Sequence, residues 1–106
     1  MNHEPANHDT RQLRRMLDCI VAARGGSVSL IEAANTLLFL RDALAVAGDE
    51  WSSAFTSHAV TLESAGLATP EQKASMGSRF ESVISSALAE LESLIHKHPA
   101  AIDAEQ

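Results

Sequence analysis

The chain has 106 residues, of which 45% are apolar and 21% charged, and a formal net charge of −6. These are the proportions of one globular domain able to bury a modest core. The single cysteine, Cys19, excludes an intrachain disulfide and a four-thiolate zinc site. The longest apolar runs, Cys19 to Ala23 and Ala43 to Ala47, are far short of the roughly 20 residues of a membrane span. No signal-peptide pattern opens the chain, so a soluble, cytoplasmic protein with no membrane partner is expected.

Residues 1–8 contain Pro5 and no apolar period, which predicts a disordered lead-in before a single domain over residues 9–99. From Asp9 or Thr10, either of which can cap, Leu13, Met16, Leu17 and Ile20 recur at helical steps until Gly25-Gly26 ends the run. The second helix opens on the S-x-x-E spacing of Ser29 and Glu32 and is predicted to run to Ala47, with Gly48 as a left-handed cap. Leu30, Leu37 and Leu44 mark its core side. Phe39, Ala43 and Val46 point the other way, and a helix apolar on two sides is central to its fold or covered by a partner.

A third helix begins at Asp49 or Glu50, buries a stripe of Trp51, Phe55, His58 and Leu62, and ends at Ala65-Gly66. Its outer face, including Ser52, Ser53, Thr56, Ser57 and Ser64, carries small uncharged residues that suit close helix packing or plain solvation. Thr69, Pro70, Glu71 and Gln72 form the clearest helix start in the chain, and Pro99 marks the stop. Between them Gly77, Phe80, Ile84, Ala87, Leu91, Leu94 and His98 alternate three and four apart. Unbroken, that helix is roughly 42 Å long against roughly 24–27 Å for the others. Either it breaks, with Gly77 the natural place, or a second subunit covers the overhang. Residues 100–106 are expected to form a disordered tail.

The expected fold is therefore all-α: a four-helix up-down bundle, helices near 10–24, 30–47, 50–65 and 70–98, with a long C-terminal helix. Short connections make sequential helices antiparallel neighbours. The expected core is Leu13, Leu17, Ile20, Leu37, Leu44, Trp51, Phe55, Leu62, Phe80, Ile84, Leu88 and Leu91.

Charge bears on partners. Residues 1–48 balance five arginines against five acids, whereas residues 49–106 set Lys73, Arg79 and Lys97 against nine acids. An acidic chain of pI about 5.2 argues against nucleic-acid partners, whose affinity rests on neutralised phosphates. The acidic half could instead dock on a basic protein.

The titratable residues form no recognisable catalytic pattern. His58 lies within an apolar stripe, and His96 and His98, two apart, point to opposite sides of a helix end, where capping explains them. Arg41 occupies the middle of the Leu30/Leu37/Leu44 arc, as a structural ion pair or an anion-binding group. Cys19 reads as a packing residue. Glycines 25 and 26 lack the Gly-Lys-Ser/Thr of a phosphate loop. The segment Gly26-Ser27-Val28-Ser29-Leu30-Ile31-Glu32-Ala33-Ala34 is similar to the opening of a helix-turn-helix. It continues as Asn35-Thr36-Leu37-Leu38-Phe39-Leu40 where a turn and a basic recognition helix belong. Leu30-Ile31-Glu32-Ala33-Ala34, Leu37, Leu40-Arg41, Glu50-Trp51, Phe55 and Thr61-Leu62-Glu63-Ser64 together resemble a group of small bacterial helical proteins of unassigned function. That resemblance covers roughly residues 28–65 and implies a bacterial cytoplasmic bundle, with no chemistry attached.

The function expected on these grounds is a non-catalytic protein–protein interaction module of adaptor or neutraliser type, self-associating as a homodimer or binding a protein partner. It requires no cofactor and no metal. Its surface is either the face of Phe39, Ala43 and Val46 with Arg41, or the projecting last helix. The alternative is a small-ligand- or metal-binding bundle centred on His58, Arg41 and Glu63, and a degenerate helix-turn-helix regulator is the minor one.

Overall fold

The computed structural model describes residues 5–100, with side chains from His8 onward. Five α-helices follow one another, and the described residues include no strand: α1 Pro5–Arg24, α2 Leu30–Ala43, α3 Asp49–Gly66, α4 Pro70–Met76 and α5 Ser78–Lys97. The all-α expectation holds, with five helices in place of four. The four long helices close a ring, α2 packing on α1 and α3, and α5 on α3 and α1, while α4 packs on α5 alone.

Local chemistry accounts for most boundaries. The helix α1 starts at Pro5, where a disordered lead-in over residues 1–8 was expected; residues 1–4 lie outside the described ones. Proline in the first turn loses nothing, because its missing N–H has no helical acceptor there. The helix ends in a Schellman turn: Gly26 takes φ +80°, its N–H bonds Ala23 O, and Ser27 N–H reaches Ala22 O at 2.9 Å. At α2, Ser29 Oγ accepts the Glu32 N–H at 3.1 Å. Thr69 and Gln72 complete a reciprocal capping box at the start of α4.

Two helix ends differ from expectation. Instead of running to Ala47, α2 stops at Ala43, and Leu44 is extended at φ −68°, ψ 137°. Gly48 is not a left-handed cap; at φ −65° it is the residue before α3. Tertiary hydrogen bonds, described below, claim the backbone of residues 45 and 46 and outweigh helix propagation. The expected helix 70–98 is divided at Gly77, whose φ +59°, ψ −135° no L side chain adopts easily. The helix is broken there, and the described residues span 53 × 27 × 21 Å.

The buried core is built from Leu13, Met16 and Ile20 of α1, Ala34, Leu37 and Leu40 of α2, Phe55 and Leu62 of α3, and Ala87, Leu88, Leu91 and Ile95 of α5. Of the expected core, Leu17, Leu44, Trp51 and Ile84 are only partly buried against this cluster. Phe80 is half-buried, because it sits on the part of α5 that extends past the ring. On α3 the buried stripe passes through Ala59, fully inaccessible, and His58 beside it is half-exposed. The close approach of α2 and α3 depends on Gly66, where a Cβ would stand 2.7 Å from Ile31 Cγ1 and 3.1 Å from Ile31 N.

Candidate functional site

Two features are candidates, a buried polar latch at one end of the bundle and an apolar groove at the other. The latch forms where α1 begins, the 44–48 link passes and α5 ends. Asp9, 2% exposed, accepts the N–H of Ala45 at 2.7 Å and of Val46 at 3.0 Å, one on each carboxylate oxygen. His98, equally buried, accepts the Ala100 N–H on Nδ1 at 3.1 Å, so Nε2 carries the hydrogen that it donates to Val46 O at 2.7 Å. Thr10 Oγ1 donates to Ala100 O at 3.1 Å. The Trp51 indole N–H donates to Leu94 O at 2.7 Å, its ring stacked on Phe55 and edge-on to His98. No buried side-chain polar atom lacks a partner among the described residues. With both His98 nitrogens engaged and both Asp9 oxygens occupied out of reach of solvent, the latch is suited to holding three chain segments together.

The residues singled out from sequence lie apart from the latch and mostly apart from each other. Phe39 is 70% exposed on the outer side of α2, with Ala43 one turn on at intermediate burial. Val46, 58% exposed, has left the helix and projects from the 44–48 link. Arg41 is held by Asp42, its Nη2 2.6 Å from Oδ1, and donates to the Thr56 hydroxyl on α3. Helical geometry separates the ligand triad. His58 stands two residues past Thr56, about 200° around the axis from the side Arg41 touches, and Glu63 lies two turns further along on the Thr56 side. His58, Arg41 and Glu63 are not brought to one pocket. Among the described residues no three His, Cys, Asp or Glu side chains gather to hold a metal ion. At the end of α5, Glu92 pairs with Arg24 at 2.8 Å and lies 4.0 Å from His96. Cys19 Sγ meets Ala33 O at 3.6 Å, and burial pushes its pKa up from the usual value.

The groove exists because α4 packs on α5 and not on α3. Its volume is about 490 Å³, within the range of ligand and partner clefts. Val60 and Ala65 of α3, Ala68 of the following link, Met76 of α4 and Phe80 and Val83 of α5 form apolar walls, and Thr61, Ser64, Gln72 and Ser75 supply uncharged polar edges. No charged side chain lines it. Lys73 lies at its margin, Nζ 5.6 Å from the centre of the Phe80 ring. No residue of α4 is buried.

In the sequence Phe80 belongs to the seam from Gly77 to His98, and Gly77, the natural place for a break, is the one local sign of the change of direction that opens the groove. No family model, curated protein or solved structure matches this chain.

Proposed function

We propose that this protein is a non-catalytic interaction module whose docking surface is the groove bounded by α3, α4 and α5. The observation that carries this is a 490 Å³ apolar trough without a charged lining residue, in a chain where 21% of residues are charged. Helices pack about 8–10 Å apart when they bury a shared face; α4 and α3 have not done so and leave room for a third surface. Val60 and Val83 remain 43% and 37% exposed on its walls, and apolar surface rimmed by polar residues is the ordinary composition of a protein-binding site. The groove lies at the start of α5. The lining offers neither a titratable group nor a nucleophile beyond serine and threonine hydroxyls, in line with binding without chemistry.

Photo-crosslinking tests this proposal. A photoreactive residue replacing Val60, in cells expressing the full chain, is expected to form an adduct with a polypeptide. The same residue replacing Arg11, exposed on α1, is expected to form none. Adducts at neither position, or equally at both, would contradict a docking role for the groove.

A further inference from the structure

The wall of the groove continues onto an exposed face of α5 whose charges are arranged to meet themselves. At 100° per residue, Arg79, Val83, Ser86 and Glu90 fall within an arc of about 60°. All four are exposed, and neither Arg79 nor Glu90 has an ion-pair partner among the described residues. The cation and the anion are placed symmetrically about a point between Ile84 and Ser85, as are Val83 and Ser86. A second α5 laid antiparallel across that point sets Arg79 against Glu90 of the other copy twice, with Val83 against Ser86 between them. A parallel, in-register pairing would set Arg79 against Arg79 and Glu90 against Glu90. Serines at positions 82, 86 and 93 keep this face low enough for close approach of two helices.

Resting on the docking role of this end of the molecule, we infer that the occupant is a second copy of this chain, joined through antiparallel α5 helices about a two-fold axis near residues 84–85. Such an isologous contact closes on itself and yields a dimer and no higher polymer. A purely basic partner is disfavoured by Arg79, and a purely acidic one by Glu90.

Sedimentation of the purified full chain tests the inference. Wild type is expected to show about twice the 11.3 kDa chain mass at high concentration. Arg79→Glu and Glu90→Arg, both exposed and therefore compatible with folding, are each expected to weaken association at least about tenfold, because each creates two like-charge contacts per dimer. The combined R79E/E90R chain is expected to regain association to within about threefold of wild type, its pairs being restored with signs exchanged. Unchanged circular dichroism and melting of the single variants exclude misfolding as the cause. A wild-type chain that stays monomeric, single variants without effect, or a combined variant no better than either single one overturns the inference. If the chain is monomeric yet position 60 still crosslinks a polypeptide of different mass, only the second-copy assignment falls. If position 60 gives no adduct, the docking role itself falls.

Discussion

Asp9 ties the start of α1 to a link 36 residues downstream, and it does so with both carboxylate oxygens in a site closed to water. Removing it by Asp9→Ala takes from the Ala45 and Val46 N–H groups the carboxylate that accepts them. The expected cost, read from urea unfolding, is about 2–4 kcal/mol, with Asp9→Asn costing less because one acceptor remains. From sequence Asp9 is legible only as a helix cap, since a short acid before an apolar period is the ordinary sign of one. Its actual acceptor role depends on a contact across the fold, which no local spacing encodes. His98 is similar: its place at a helix end is readable, but its bond to Val46 is not. Cys19 carries a pH consequence. Burial disfavours its thiolate, so the folded chain keeps a proton that the unfolded chain loses, and stability is expected to fall as pH rises past the usual thiol value of 9.0. Alkylation of the folded protein at neutral pH should accordingly be slower than that of the urea-unfolded chain. Equal rates would contradict the burial of the sulfur.

At the scale of elements, glycine governs both the packing and the break. Gly66→Ala forces a Cβ against the Ile31 backbone N at 3.1 Å and against its Cγ1 at 2.7 Å. Since a main-chain atom cannot swing aside, α2 and α3 must separate, at an expected cost of about 1–3 kcal/mol in a thermal or urea melt. Gly77 is constrained by its backbone angles alone, because nothing lies within 4 Å of where its Cβ would be. Gly77→Ala should disfavour the break by about 1–2 kcal/mol and shift α4 toward continuation of α5. Spin labels at positions 61 and 73 would then report a longer separation than in the parent chain, and an unchanged separation would show the break to be held by packing instead. Helix starts were readable because Ser29, Thr69 and Pro70 act within one turn. The early end of α2 was not, because the competing acceptor for its last N–H groups belongs to Asp9, on another helix.

Across the whole molecule, the helical class follows from apolar residues recurring each turn between start and stop signals, and the ring of α1, α2, α3 and α5 buries that repeat. The groove was beyond reach of the sequence because it is made by three elements and a helix break at one glycine. The apolar character of both sides of α2 was legible, and Phe39 stands exposed as that pattern implied. Two surfaces therefore compete for the role of contact. Phe39→Ser is expected to change stability by no more than about 0.5 kcal/mol, as for other exposed positions, and to leave the α5 contact intact. A loss of association in that variant would move the interface to α2. The most direct measurement is the distance between copies at the proposed two-fold axis, with Cys19→Ala removing the native thiol and a spin label at Ser86→Cys. Antiparallel α5 helices at ordinary packing distance predict a label-to-label separation under about 20 Å at position 86, and a much longer one for a label at Arg15 on α1. No coupling at position 86, or a shorter distance at position 15, would contradict it.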